Sequence, residues 1–232
     1  MTGINSFLWH KIKLIPSLFL SQSFLKLKIQ FMKNIKILFI SLIAISTFFY
    51  SCKKDNSDNN SGSTEKTYVV DATNPTKWVY FSFNSGDTLK VIDPLNSTDW
   101  DLAFKNTNIR TNSGKSGKGQ GGAFLTNTQN ASGFSTLVSV PGDVQFTYDD
   151  TMKVIVYMGY ANDTVNSALY SWYSYDHLTH LIVPSNNIYI IKTASGKYAK
   201  LWIKNYYKDS DLAMGYLKFT YFYQPDGSVN LK

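Results

Sequence analysis

The segment NIRTNSGKSGKGQGGAFL, residues 108–125, carries five glycines and two lysines between Gly114 and Gly122. Whether it wraps a phosphate decides the fold, because phosphate loops join a strand to a helix in α/β proteins. A Walker A loop reads G-x-x-x-x-G-K-[ST]. Gly114 and Gly119 have the spacing, but Gln120 stands where a lysine must reach the phosphates. The dinucleotide pattern G-x-G-x-x-G is met by Gly117, Gly119 and Gly122, and it should open a helix. The chain continues as GAFLTNTQNASGF (122–134), which has no apolar helical period and several turn residues. The match is read as chance. The glycines mark a strand-to-loop element that needs positive φ or a close approach of backbones.

Outward from this segment, strand signals dominate. KWVYFSF (77–83) is dense in strand formers, NSG turns the chain and DTLKVID (87–93) returns it, which predicts a hairpin. WDLAFKNTNIRT (100–111) alternates Trp100, Leu102 and Phe104 as a half-buried strand does. MKVIVYMGY (152–160) predicts a buried strand. NIYIIKT (187–193) and KYAKLWIKNYY (197–207) flank the compact turn Ala194-Ser195-Gly196. GYLKFTYFYQPDGSVNL (215–231) alternates Leu217, Phe219, Tyr221 and Tyr223 before the turn Pro225-Asp226-Gly227. VNSALYSWYSY (165–175) is the one stretch that could be helical, and its aromatic ending suits a strand better. No repeat of fixed length is present. The expected class is all-β, one antiparallel domain over residues 67–232, long enough for a real core.

The first third of the chain differs. The formal charge of the 232 residues is +7, but residues 1–51 hold six lysines and no acidic residue. The remainder has 17 basic against 16 acidic side chains, so composition gives nucleic-acid binding no support. From Met32, MKNIKILFISLIAISTFFYSCKKD has the layout of a secretory signal: Lys33 and Lys36, then an apolar run of 14 residues from Ile37 to Tyr50. That run is too short for a comfortable membrane span. It ends at Ser51-Cys52, and Cys52 is the only cysteine, so no internal disulfide can form. A lone cysteine directly after a signal core resembles a bacterial lipobox, although Phe49, Tyr50 and Ser51 lack its usual leucine. Residues 32–51 are then the lipoprotein signal peptide and Cys52 the lipidation site. Residues 52–66 contain KKDNSDNNSGSTEK, without an apolar residue, and are expected to be a flexible tether. Residues 1–31 read as an upstream extension from a misassigned start codon; a first membrane-associated helix is the alternative.

Residues that could carry chemistry are few. Beyond Cys52 there are two histidines, His177 and His180, and no G-x-S-x-G. Asp176 adjoins His177, but neighbours on a strand point to opposite faces and do not make a catalytic pair. Asp99 with Asp101, and Asp149 with Asp150, are expected to be ordinary surface pairs. The chain is not expected to be an enzyme. His177 and His180 in DHLTHLIVP (176–184) could serve zinc from a helical turn, but a structural site wants four ligands and no cysteine is free. In a β-rich loop they project from a turn. Haem iron accepts imidazole or thioether as axial ligands, and Met152, Met158 and Met214 lie in or near aromatic strands, where core filling is the plain alternative.

KWVYFSFNSGD (77–87), STDWDLAFKNTNIRTNSGKSGKGQGGAF (97–124), IYIIKTASGKYAKLWIKNYY (188–207) and GYLKFTYFYQ (215–224) occur in an order that resembles the HmuY family of haem-binding outer-membrane lipoproteins. The similarity runs from about Tyr68 to Tyr223, and the segment 100–122 is its most specific part. The leader and Cys52 fit the same family. The resemblance implies an antiparallel β-rich domain in which the glycine-rich run is structural, with Arg110, Asn112 and the glycines pinning a loop. It implies haem as the cofactor, held between hairpins by two axial side chains, without catalysis, beside aromatic residues such as Tyr157, Trp172 and Tyr173. WYSYDH (172–177) matches the neighbourhood of one ligand, which gives His177, with His180 in the same loop competing for the role. The region of the other ligand, after Asp149, holds no histidine, so Met158 or Met152 would serve. A His–Met pair, a five-coordinate site and a fold without haem all stay open. The implied role is haem capture from haemoproteins at the cell surface, on the outer membrane, with transfer to a TonB-dependent receptor. The alternative is the same fold binding another porphyrin, a glycan or a protein partner.

Overall fold

The computed structural model describes residues 64–156 and 159–232. The expected extension, signal peptide and Cys52 lie outside the described residues, as do Tyr157 and Met158. The strands in chain order are β1 (Glu65–Asp71), β2 (Val79–Ser82), β3 (Asp87–Leu89), β4 (Leu102–Lys105), β5 (Asn108–Thr111) and β6 (Gly122–Gln129). A helix α1 (Asn130–Thr136) precedes β7 (Asp150–Val156) and β8 (Gly159–Val165). A 3-10 turn (Leu169–Trp172) leads into β9 (Tyr173–Asp176), followed by β10 (Leu181–Pro184), β11 (Asn187–Lys192), β12 (Tyr198–Tyr207) and β13 (Met214–Gln224).

These strands form a five-stranded sheet, β1-β13-β12-β11-β6, a four-stranded sheet, β3-β2-β4-β5, and two separate hairpins, β7-β8 and β9-β10. Every pairing is antiparallel. The hairpins expected around NSG and Ala194-Ser195-Gly196 are present, the second with Gly196 at φ +81°.

Period-2 alternation places Leu217, Phe219 and Tyr221 of β13 on one face, where they meet the four-stranded sheet. Phe81 packs edge-on to Phe219 with ring centroids 5.3 Å apart, and Phe104 stacks on Phe219 at 5.5 Å. Such rings bring about 1.5–3 kcal/mol each through burial, and favourable aromatic geometry adds to it. The opposite face of the five-stranded sheet is also covered. Ile188, Ile190 and Phe222 pack with Phe134 of α1 and with Val140 and Leu231. Burial on both faces explains why NIYIIK is a continuous apolar run rather than an alternating one.

Several elements depart from the expectations drawn from sequence. WDLAFKNTNIRT is a tight hairpin, β4–β5, turning at Asn106 with φ +54°. β4 is buried at three successive residues, Leu102, Ala103 and Phe104, rather than on one face only, because Ala103 on its outer face lies between Tyr80 and Arg110 of the neighbouring strands. GAFLTNTQNASGF does lead to a helix: β6 runs into the seven-residue α1. That helix is too short to show an apolar period, so the domain is β-rich, with one α-helix among the described residues, rather than purely β. VNSALYSWYSY divides between the 3-10 turn and β9. MKVIVYMGY is not a buried strand. Of β7 only Val154 is buried, because the β7–β8 hairpin belongs to neither main sheet.

Candidate functional site

The glycine-rich segment holds no ligand-ready cradle; it closes on Asn112. The Asn112 carboxamide donates to the carbonyls of Ser97 and Trp100, both at 2.9 Å, and accepts from the Gly119 amide at 3.0 Å. A Cβ on Gly119 or on Gly121 would lie 2.6 Å from the Asn112 carbonyl oxygen, so both positions admit only glycine. The expected pin through Asn112 is present.

The two carboxylate pairs are not ordinary surface pairs. Asp99 and Asp150 are exposed, but Asp101 and Asp149 are buried. Asp101 accepts from the amides of Phe83 and Ala194, tying the β2–β3 hairpin to the β11–β12 turn. Asp149 accepts from the amide and hydroxyl of Thr111 and from Asn166, tying β5 to the segments before β7 and after β8. Burial pushes both carboxyls above their ordinary value, opposed by these hydrogen bonds.

Arg110 completes the mounting of the β7–β8 hairpin. It lies 3.9 Å from the Trp78 ring centroid, donates to the Thr164 carbonyl at 2.6 Å and pairs with Asp163, which also receives Lys105 at 2.7 Å. Met152 is directly opposite Asp163 and shares its face, half-buried beside this ion cluster. Ile155, Val156 and Tyr160 are exposed nearer the turn.

The β9–β10 hairpin carries both histidines in its turn. Asp176 shapes that turn by accepting from the Leu178 amide at 2.8 Å and the Thr179 hydroxyl at 2.8 Å. These bonds hold its carboxyl below the ordinary value. The two histidine rings meet over Tyr175. His177 packs edge-on to it, centroids 5.0 Å apart, and the Tyr175 hydroxyl lies 2.7 Å from Nδ1 of His180. Leu178 in the turn is 93% exposed, and Leu181 and Val183 are exposed on the other face of the hairpin, since Ile182 is the residue across from Tyr175. At its root the hairpin adjoins β7: the Ile155 amide donates to the Tyr170 hydroxyl at 3.0 Å, and the Tyr170 ring packs edge-on to Tyr173. Tyr173 and Tyr175 share one face of β9, so an aromatic track leads from β7 to the histidines.

Trp172, expected beside the ligand, is instead core: it is buried and donates from its indole to the Thr107 carbonyl. Met214, at the start of β13, is exposed. Among the described residues no three His, Cys, Asp or Glu side chains come together to hold a metal ion, and no helix is long and apolar enough to cross a membrane.

A cleft of about 490 Å³ opens elsewhere, lined by Ser82, Ser85, Asp99, Ser195, Lys197 and Tyr223 among others. It sits where β12 begins. The β9–β10 hairpin meets the far end of that strand, where the Ile182 amide donates to the Tyr207 hydroxyl. Ten residues of strand separate them by roughly 33 Å. The cleft's hydroxyls and charges do not suit a flat apolar ligand.

The described residues thus form a β-rich domain that carries an exposed aromatic and histidine-bearing pair of hairpins. The chain belongs to the HmuY family, whose model matches residues 74–221. This family is non-catalytic. The fold is similar to that of the apo HmuY analog of Tannerella forsythia, at 21% identity over 72% of this chain and 100% of that one, with a TM-score of 0.57. A Bacteroides fragilis chain classed as a lipoprotein gives 23% identity over 72% and 94%, with a TM-score of 0.55. A Bacteroides vulgatus chain classed as HmuY-like and heme-binding gives 20% identity over 68% and 91%, with a TM-score of 0.53. At these identities the likeness concerns the fold. No curated protein matches the chain.

Proposed function

We propose that the protein captures haem at the cell surface and holds it, without catalysis, against the β7–β8 and β9–β10 hairpins. One observation carries this reading. Ile155, Val156, Tyr160, Tyr175, Leu178, Leu181 and Val183 are all exposed on these two hairpins, and both histidines stand at one tip. A concentration of apolar side chains on projecting elements marks a binding surface. Covering roughly 300 Å² of it with a macrocycle contributes about 7 kcal/mol at 25 cal/mol/Å², before ordering costs. His177 or His180 supplies an imidazole to the iron, and Met152 of the other hairpin, or else Met158, is the thioether candidate.

In this proposal residues 32–51 are the removed signal and Cys52 carries the acyl chains, which together anchor a protein stably to the outer membrane. Residues 52–66 act as tether, and the domain from 67 takes haem from haemoproteins and passes it to a TonB-dependent receptor. A haemin titration followed by absorbance tests the capture step. The Soret band should shift on adding protein, and Ile155→Ser combined with Leu181→Ser should weaken binding by about tenfold or more. A haemin spectrum unchanged by the wild-type protein would end this reading.

The polar cleft favours a second reading, in which this fold binds a polyhydroxylated ligand such as a glycan. Calorimetry with oligosaccharides, comparing wild type with Lys197→Ala and Asp99→Ala, separates it from the first.

A further inference from the structure

We infer that His180, rather than His177, is the iron-binding residue of the hairpin tip, through Nε2, and that Tyr175 is its positioning residue. The inference rests on the haem reading above and decides between two residues that the sequence leaves equivalent.

Two features separate the histidines, and a third allows them to be compared. First, only His180 has its ring held. Its Nδ1 is engaged by the Tyr175 hydroxyl at 2.7 Å, while His177 touches the same tyrosine only ring to ring. A histidine that binds a metal through one nitrogen nearly always has the other nitrogen hydrogen-bonded, which fixes ring orientation and tautomer. With Nδ1 occupied, Nε2 is the one nitrogen of His180 open to a ligand.

Second, His180 has φ +60°, a left-handed backbone that few non-glycine residues adopt. Held residues of this kind concentrate where a side chain has to be aimed. His177 has no such backbone. Third, the turn is braced independently of either ring, because Asp176 bonds to Leu178 and Thr179. The tip therefore keeps its shape when a ring is removed, and the two histidines can be compared by substitution.

Ligation at Nε2 requires its lone pair, so the imidazole proton resides on Nδ1. The Tyr175 oxygen then accepts from Nδ1–H and its own hydroxyl proton turns to solvent. Tyr175 has two tasks: its ring spaces the histidines and its oxygen sets the tautomer. Tyr175→Phe removes only the second.

Haemin titration and ring-nitrogen NMR of the full chain test this together. In the unliganded protein, Tyr175→Phe should move the ring ¹⁵N resonances of His180 and leave those of His177 in place. With haemin, His177→Ala should keep the Soret shift of wild type. His180→Ala should lose it, with recovery on adding free imidazole. Tyr175→Phe should keep the shifted band but weaken affinity by about tenfold and raise the ferric–ferrous midpoint potential, since a less electron-rich imidazole favours ferric iron less. Loss of the shift in His177→Ala and its retention in His180→Ala would overturn the assignment. Unchanged affinity, potential and ¹⁵N resonances in Tyr175→Phe would overturn the positioning role. A wild-type protein that leaves haemin untouched rejects the haem reading itself, and is told apart from these outcomes because no variant is needed to see it.

Discussion

At Asn112 the chain wraps its own backbone around one carboxamide, and three hydrogen bonds to Ser97, Trp100 and Gly119 are made inside the protein. Leaving buried carbonyls and an amide unpartnered costs about 1–3 kcal/mol each at most, and the groups relax in part. Asn112→Ala is expected to lower stability by about 2–4 kcal/mol, measured by urea unfolding; a change below ~0.5 kcal/mol would deny the pin its role. Asn112 and the glycines around it were legible because a dense glycine run that matches no phosphate loop points to close backbone packing. Asp101 and Asp149 were not, since nothing local in DWD or YDD tells a buried carboxylate from an exposed one. Their donors come from residues as distant in sequence as Ala194 and Asn166. Lys200 was illegible for the same reason. In KYAKLWIK it alternates like a solvent residue, yet it is buried and donates to the Phe134 and Leu137 carbonyls at the end of α1.

Among the elements, β11, β12 and β13 follow from their apolar patterns and turns, and β7 does not. An apolar run of that length normally means burial. Here the run belongs to a hairpin outside both sheets, paired only with β8 and moored by Arg110 to Asp163 and Thr164. The departure is itself informative, because apolar residues that burial does not explain are the ones a ligand can use. The histidine tip was foreseen as a turn, while its convergence on Tyr175 could not be, since it depends on the hairpin register that sets Tyr175 across from Ile182. Hydrogen exchange should distinguish these elements. Amides of residues 159–163 and 177–181 should exchange quickly in the unliganded protein and slow on adding haemin, while those central in β12 and β13 stay protected throughout. Protection appearing at Ser195–Lys197 instead would move the binding site to the polar cleft.

For the whole molecule, two sheets share one aromatic core and the hairpins project from it, so binding and stability are set by different parts. The buried carboxyls of Asp101 and Asp149, raised by desolvation, hold protons more readily in the folded protein than in the unfolded chain. Their contribution to stability therefore grows as pH falls toward the ordinary value of 3.8. Asp87, Asp150, Asp176, Asp209 and Asp226 are lowered by hydrogen bonds and ion pairs, so their contribution is lost only as pH falls below 3.8. The carboxyl contribution to the thermal midpoint should thus peak near that value, and a fall in midpoint beginning well above it, in a protein with His177 and His180 replaced by Gln, would contradict the carboxyl assignments. The class of fold was readable along the chain; the separation of hairpins from sheets was not, because it lies in which strands pair with which. The most direct test of the central claim is a crystal structure of the protein grown with excess haemin. The account predicts the disc seated against β7–β8 and β9–β10, with Nε2 of His180 turned to the iron and Tyr175 behind Nδ1. A β9–β10 tip standing empty in solvent, with haemin absent or bound elsewhere, would contradict it.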